Sequence, residues 1–157
     1  FAGRMKLDCE KTDLCIVLGE LEDFYHPQCD IQDVVMRMQL PSDPVFANID
    51  TGLFKQAILN LLINATQAMS DSDGKELIIR LDCDQNEARV HVIDTGKGIE
   101  KDRIDEIFHP YVSSKQGGTG LGLPTTMRII QEHGGHIQVE STLGQGSDFT
   151  VCVPLHA

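Results

Sequence analysis

Apolar residues recur at helical spacing in three segments of the chain. With Thr12 as the expected N-cap, the first segment places them at intervals of three and four: Leu14, Val17, Leu18, Leu21 and Phe24. A second helix is predicted over residues 51–70. A third is predicted over residues 123–133, where two glycines follow and end it.

Short apolar runs bounded by turn residues predict five strands. They cover residues 31–40, 76–83, 87–94, 136–141 and 147–155, with a short helical piece expected over residues 104–107. The mixed order of helices and strands, with neighbouring hairpins, predicts an α+β fold. We expect a two-layer sandwich of one mixed, mostly antiparallel sheet with helices packed on one face.

Composition and charge narrow the class of protein. A chain of 157 residues with 41% apolar residues suits one globular domain. Its formal net charge of −11 disfavours binding to nucleic acid or to an acidic membrane. Five cysteines without a CxxC pair indicate reduced thiols in a cytoplasmic setting. No apolar run approaches the roughly 18 residues of a membrane span.

The second helix carries an unusual polar face. Gln56, Asn60, Asn64 and Gln67 stack in one column on an otherwise apolar helix, and no charged residue occurs between Gln56 and Ser70. A solvated face normally carries Lys and Glu, so the column indicates the border of a polar cavity. Amide oxygens are ligands that suit Mg²⁺. The alternative is that these amides satisfy loop backbone.

The strand over residues 87–94 ends in a carboxylate followed by a glycine turn. Asp94 at this position could accept a hydrogen bond from the amino group of adenine, whereas guanine presents a carbonyl there. Gly96 and Gly98 would let the backbone lie close to a flat base. Taken alone, an Asx-type turn is the better explanation of this segment.

A glycine-rich segment, "SSKQGGTGLGLP" at residues 113–124, leads into the third helix. Glycine-rich backbone at a helix N-terminus offers N–H groups and the positive end of the helix dipole to phosphate, and Lys115 adds a positive charge. The spacing matches neither the dinucleotide fingerprint nor the Walker loop. The alternative is a flexible hinge.

Five sequence boxes occur in an order that resembles the N, G1, F, G2 and G3 boxes of sensor histidine kinases. They are "NLLINA" at 60–65, "DTGKG" at 94–98, "FHPY" at 108–111 with Lys115, "GTGLGL" at 118–123, and "GQG" at 144–146 with Thr150. Over about residues 7–155, the chain resembles the catalytic ATP-binding domain of the nitrogen-regulatory type. The resemblance implies the Bergerat fold, ATP and Mg²⁺ as cofactors, and a mobile lid over about residues 99–120.

The resemblance also implies a role for each matched residue. Asn64 would coordinate Mg²⁺, Asn60 would lie beside the phosphates, and Lys115 would approach the γ-phosphate. These three are the expected catalytic residues. Asp94 would bind the adenine amino group, helped through water by Thr150.

The remaining matched positions are glycines and lid residues. Gly96 and Gly98 would back the base. The triphosphate would be cradled by Gly118, Thr119, Gly120, Leu121, Gly122 and Leu123. Phe108 and Tyr111 would anchor the lid by packing. The F box departs from the common pattern at His109, where an acidic residue is usual, and at Tyr111, where Phe is usual.

The phospho-accepting histidine of such kinases lies on a separate helical hairpin, usually before an acidic residue. None of the six histidines has that context. Residues 1–7 are a candidate for the tail of that hairpin, and residues 8–157 are the expected catalytic domain. The implied partners are the hairpin of the parent protein, expected to be a homodimer, and a response regulator. Whether the parent protein is membrane-bound stays open.

Two histidines, His133 and His136, flank the end of the third helix. The sequence shows no third ligand near them, and a helix C-terminus favours a histidine side chain. We therefore interpret them as part of a helix end rather than as a metal site.

Three functions are compatible with these motifs. The first is a protein-histidine kinase catalytic domain, in which catalysis is mainly positioning and charge neutralisation. The second is an ATP hydrolase of the same superfamily, which would carry a Glu where Asn60 stands. An amide cannot take a proton at neutral pH, so Asn60 argues against hydrolysis. The third is a nucleotide-sensing module without transfer.

Overall fold

A computed structural model describes residues 5–109 and 122–156. The elements follow in this order: β1 (Glu10–Asp13), α1 (Leu14–Ile31), β2 (Val35–Gln39), β3 (Phe46–Ile49), α2 (Thr51–Ala68), β4 (Glu76–Cys83), β5 (Glu87–Asp94), a short 3-10 helix (Lys101–Glu106), α3 (Gly122–Glu132), β6 (His136–Thr142) and β7 (Gly146–Pro154).

One five-stranded sheet forms the centre of the fold, in the order β2-β4-β5-β7-β6. The pair β2–β4 is parallel and the other three pairs are antiparallel. Buried and partly exposed residues alternate along β4 and β5, so one face of the sheet is covered. The helices pack on that face, which confirms the predicted α+β sandwich with a mixed, mostly antiparallel sheet.

A second, two-stranded sheet of β1 and β3 was missed by the sequence prediction. Each strand has only four residues, too few for a period of two to stand out. Thr12, the predicted N-cap of the first helix, lies in β1 opposite Ala47. The cap is Asp13, because its carboxylate accepts a hydrogen bond from Cys15 N at 3.0 Å.

The first helix is longer than its apolar pattern predicted. It continues through Pro27 to Ile31, so the strand predicted from residue 31 begins only at Val35. Pro27 lacks the N–H that would complete a helical hydrogen bond. Tyr25 and Cys29 are buried on either side of Pro27, and their packing against the core holds the helix together despite the missing hydrogen bond.

The second helix lies at the centre of the core. Phe54, Ile58, Leu61 and Leu62 are at most 1% exposed. The Asp50 carboxylate caps the helix by accepting a hydrogen bond from Leu53 N at 3.0 Å. All five cysteines are free thiols, in agreement with the expected reduced state. Across the two described ranges, no helix combines the length and the apolar character needed to cross a membrane.

Candidate functional site

The polar column predicted on α2 is present on the side of the helix that faces away from the core. Asn60 and Asn64 are partly exposed, and Gln56 and Gln67 are exposed. Ile63 was expected to extend the apolar stripe, but its side chain is 38% exposed. It lies three residues after Asn60 and four before Gln67, so helical geometry places it beside the polar column.

The Asn60 amide is held by the first turns of α3. Its Nδ2 donates to Thr126 Oγ1 at 3.2 Å and to Gly122 O at 3.4 Å. The Thr126 hydroxyl in turn donates to Gly122 O at 2.9 Å. Because the amide nitrogen faces α3, the amide oxygen of Asn60 is turned the other way. Asn64 follows one turn later on the same face of α2.

Thr126 is the residue of this arrangement that the sequence analysis missed. It is fully buried, and its hydroxyl lies 3.4 Å from Ala57 O of α2 as well as close to Asn60. A threonine inside a helix is usually explained by packing or by a bond to its own helix. Only the packing of α3 against α2 shows that this hydroxyl orients a predicted site residue.

Asp94 ends β5 on the covered face of the sheet and is 3% exposed. Its Oδ1 accepts a hydrogen bond from Gly96 N at 2.8 Å, so the Asx-type turn considered in the sequence analysis is present. That turn fixes the orientation of a buried carboxylate. A side chain at Gly96 would place its Cβ 2.6 Å from Ala68 O at the end of α2.

Gly98 and Gly146 also lie against backbone of the protein. Gly98 has a φ of +73°, and a Cβ there would lie 2.3 Å from Thr142 O. A Cβ on Gly146, with a φ of +139°, would lie 2.1 Å from Asp94 O. These positions therefore require glycine for backbone conformation and packing, whatever ligand the site binds.

The strand register does not place Thr150 beside Asp94, where its predicted role requires it. Thr150 is paired with His91, three residues before Asp94 on β5, so the two side chains point to opposite faces of the sheet. Its hydroxyl lies 3.0 Å from His91 Nδ1. The residue opposite Asp94 is Ser147, which is 7% exposed and lies on the covered face. Alternation along residues 147–155 predicts opposite faces for Ser147 and Thr150, and the strand register then shows that Ser147 is the one beside Asp94.

A cleft of about 480 Å³ lies beside the glycine turn at the end of α2. It is lined by residues 70–74 and 95–97 together with Gln67, Ala68 and Gly144. Among the predicted site residues that the structure describes, Gly96 is the one in its lining, and Asn60, Asn64 and Asp94 do not line it. The cleft therefore borders the predicted site but does not contain the amides of Asn60 and Asn64 or the carboxylate of Asp94.

The F-box region is described up to His109. Phe108 packs edge-to-face on Phe149, with ring centroids 6.3 Å apart and planes at 72°, so it anchors the start of the predicted lid. His109 is exposed. Gly122 is the first residue of α3, and Leu123 packs against the core. Six predicted residues lie outside the described ranges: Tyr111, Lys115, Gly118, Thr119, Gly120 and Leu121.

The two histidines around Gly134 and Gly135 have separate surroundings. His133 Nε2 accepts a hydrogen bond from Asp50 N at 3.0 Å, and Nδ1 lies 2.7 Å from Ile129 O, which makes it the donor. His133 therefore joins the end of α3 to the cap of α2. His136 begins β6 and is exposed. His133 therefore forms part of the helix end, as interpreted from the sequence, whereas His136 belongs to the following strand.

Two comparisons by sequence bear on this site. Residues 49–157 match the model of the histidine kinase-, DNA gyrase B- and HSP90-like ATPases. Sporulation kinase D of Bacillus subtilis is 33% identical over 94% of this chain and 29% of its own length. Sensor histidine kinase ZraS of Escherichia coli K12 is 41% identical over 68% of this chain and 23% of its own length. The chain thus spans less than a third of each of these relatives.

Solved structures share the fold. Full-length ShkA in complex with AMPPNP superposes with a TM-score of 0.89 at 24% identity, covering 99% of this chain and 33% of ShkA. Histidine kinase ThkA in complex with response regulator TrrA gives a TM-score of 0.81 at 22% identity, covering 94% of this chain and 42% of that one. At these identities the likeness shows the fold alone.

Proposed function

The chain belongs to the family of histidine kinase-, DNA gyrase B- and HSP90-like ATPases, as a catalytic domain of the histidine kinase type, and we propose that it binds Mg-ATP and donates the γ-phosphate to a histidine on a separate hairpin. One observation carries the proposal. An uncharged column of amides lies on α2, and α2 packs on the sheet in which β5 ends at the buried carboxylate of Asp94.

The proposed adenine site is built around Asp94. Because Gly96 N holds Oδ1, the carboxylate has a fixed orientation in which it can accept a hydrogen bond from the adenine amino group. We propose Ser147, in place of Thr150, as the hydroxyl that assists Asp94, since Ser147 is its direct neighbour on β7. The ShkA structure with AMPPNP, which has the same fold, supports a nucleotide as the ligand.

The proposed Mg²⁺ and phosphate site lies along α2. The amide oxygen of Asn64 would hold Mg²⁺, and Asn60, oriented by α3, would lie beside the phosphates. These neutral, hard oxygen donors fit Mg²⁺. When bound, the ion would neutralise charge on the triphosphate.

The remaining phosphate contacts come from the glycine-rich segment. We propose that Lys115 approaches the γ-phosphate and that residues 118–123 cradle the triphosphate at the start of α3. What the chain contributes to transfer is then alignment of the γ-phosphate with the incoming imidazole and exclusion of water.

The partners follow from the same proposal. The acceptor is the phospho-accepting hairpin of the parent protein, for which residues 1–7 are the candidate tail and residues 8–157 the catalytic domain. The second partner is a response regulator, supported by the ThkA–TrrA complex of the same fold. Hydrolysis is the weaker candidate, because Asn60 cannot accept a proton from water.

Thermal unfolding with Mg-ATP tests the nucleotide site. ATP at about one hundred times its Kd stabilises a protein by about 2.7 kcal/mol, which raises the Tm by several degrees. We expect Asp94→Asn to remove this rise, since an amide presents a donor to the adenine amino group. The matched control is Asp148→Asn, a carboxylate on the opposite face of the sheet. A rise that persists in Asp94→Asn contradicts the adenine assignment.

Transfer is tested separately with labelled γ-phosphate and the histidine hairpin of the parent protein. We expect label on the hairpin and little free phosphate. Release of free phosphate without labelled hairpin supports the hydrolase instead, while ATP binding without either product supports the sensing module.

A further inference from the structure

We propose that the chain binds a zinc ion at Glu87, His136 and Cys152, at the end of the sheet remote from Asp94. These residues come from β5, β6 and β7, and each offers one ligand atom within 4.8 Å of the other two. The Cys sulfur, imidazole nitrogen and carboxylate oxygen they supply are ligand types that Zn²⁺ binds in proteins.

The strand ladder holds the three residues in place. His136 and Cys152 are directly paired across β6 and β7, so their side chains share one face of the sheet. Cys152 is also paired with Arg89, two residues after Glu87 on β5, which places Glu87 on that face as well. At Gly135, a Cβ would lie 2.1 Å from Cys152 O, so this glycine lets β6 begin close against β7.

Small side-chain rotations bring the ligands to zinc geometry. Bonds of 2.0–2.3 Å in a tetrahedron separate ligand atoms by about 3.3–3.8 Å. Closing from 4.8 Å therefore needs shifts of about 1 Å, which the exposed His136 and the partly exposed Glu87 can make without moving the backbone. A water would complete four-coordination, because the described residues place three ligands there.

The charges around the site favour a cation. The Arg89 guanidinium is near, but it binds Asp82 at 2.7 Å and Asp84 at 2.9 Å, and its contact with Glu87 is the longest at 3.5 Å. One positive and three negative groups leave a local charge of −2 before metal binding. Releasing the contact between Arg89 and Glu87 leaves the guanidinium paired with two carboxylates.

Metal binding must displace a proton. Burial, and then the negative charge of Glu87, raise the pKa of the Cys152 thiol to about 11, with Asp82 acting in the same direction and Arg89 against it. At neutral pH the thiol is therefore protonated. Zn²⁺ forms a bond to sulfur as the S–H proton leaves to solvent, so affinity increases with pH.

The proposed zinc site gives a role to His136, which the proposed kinase function does not use. His133 serves the helix ends, whereas His136 turns toward two ligands that the sequence does not place beside it. Glu87 and Asp94 are the two ends of β5, about 24 Å apart at about 3.4 Å per residue. A metal here would join three strands without touching the nucleotide site.

The test uses tag-free protein freed of metal by a chelator, with Zn²⁺ alone as the probe. We expect one Zn²⁺ per chain by titration calorimetry and a rise in Tm. With Co²⁺ in place of Zn²⁺, we expect a thiolate charge-transfer band in the near ultraviolet. His136→Gln should weaken binding at least tenfold and leave the metal-free Tm unchanged, since His136 is exposed.

Two control variants make the outcome specific. His26→Gln removes an exposed histidine that lies 2.7 Å from Glu22 and 3.6 Å from Asp30 but has no thiol ligand, and Cys83→Ser removes an exposed thiol. Both should bind Zn²⁺ as the original chain does. Equal binding by His136→Gln and the original chain, or a Co²⁺ complex without the thiolate band, overturns the proposal. The binding measurement on His136→Gln tests the zinc site even if Cys152→Ser does not fold.

Discussion

The helices α1 and α2 have the same length and the same kind of cap but different outer faces. Both have 18 residues and both begin after an Asp whose carboxylate accepts a backbone N–H. The outer face of α1 carries Glu20, Asp23, His26 and Asp30, all exposed. The one charged residue of α2 is Lys55, in its second turn, and it pairs with Glu20 of α1 at 2.7 Å.

The difference shows what an uncharged polar face means. Charged side chains keep their hydration on an exposed face, as at Glu20, Asp23, His26 and Asp30 of α1. Amides bind weakly to water by comparison, and they suit a surface that must exchange water for a ligand or another part of the protein. On α2 that surface contacts α3 through Asn60, Thr126 and Gly122. The two outer faces should therefore respond differently to substitution.

The largest difference is expected between Asn64 on α2 and Glu22 on α1. Asn64→Ala should reduce phosphotransfer by about a hundredfold or more, because loss of the proposed metal ligand would remove several kcal/mol of transition-state stabilisation. Glu22→Ala should leave the rate within about twofold, since its ion pair with the exposed His26 contributes little and lies far from the proposed site. Rates from labelled ATP with saturating hairpin check this. Similar losses in the two variants would remove the distinction between the faces.

A smaller effect is expected where α2 meets α3. Thr126→Val keeps the shape of the side chain but removes the hydroxyl that orients Asn60. A lost hydrogen bond of about 1.4 kcal/mol corresponds to a tenfold weaker affinity for Mg-ATP. Thr126→Ser should restore that affinity, because it keeps the hydroxyl. If the residue served only for packing, Thr126→Val would bind Mg-ATP better than Thr126→Ser. Calorimetry at a temperature where both variants are folded separates binding from stability.

The two caps give the next contrast. Asp50→Ala should cost about 1–2 kcal/mol, because its oxygens accept from Leu53 N and Asp8 N, both at 3.0 Å. Asp13→Ala should cost less, since its second bond, from Val45 N, is longer at 3.3 Å. Urea unfolding measures both differences in the free energy of unfolding. A larger loss at Asp13 would contradict this ranking.

The Asp50 cap also carries a pH dependence. The hydrogen bond from Asp8 N, then that from Leu53 N, lowers the folded-state pKa of Asp50. A lowered folded pKa means that its stabilisation is complete above the unfolded-state pKa, near 4, and is lost as pH falls through the folded value. The difference between the original chain and Asp50→Ala should therefore shrink in acid. A difference that stays constant down to the lowest pH of folding would show that charge does not contribute.

The smallest difference between α1 and α2 is expected from the groups they bury, measured as stability at alkaline pH. Burial raises the pKa of the Cys29 thiol on α1 to about 11, while α2 buries no ionisable group. The unfolded thiol ionises near pH 8.5 and the folded one only near 11, so stability should fall as pH rises through this window. Cys29→Ala should flatten the fall of Tm by a few degrees, and the remainder should come from the other groups whose pKa is raised, Cys152, Cys9, Cys15 and Tyr25. An unchanged slope contradicts this prediction.

Local pattern was enough to predict much of this fold. The periodicity of residues 51–70 predicted α2 with its buried stripe and its column of amides, because one helix face is a purely local property. The alternation in residues 76–83 and 87–94 predicted β4 and β5. The short strands β1 and β3 lacked that signal, and the cap moved from Thr12 to Asp13 because Asp13 also bonds Val45 N, 32 residues away.

The sequence by itself determined which chemical groups this protein brings to the proposed site: the amides of α2, the carboxylate of Asp94 and the glycines that follow it. Spacing along one helix or one strand settles these. Tertiary structure alone decided that Ser147 rather than Thr150 lies beside Asp94, that Thr126 orients Asn60, and that Cys152 and Glu87 lie next to His136. Strand register and helix packing join residues far apart in the chain, and no local pattern contains that information.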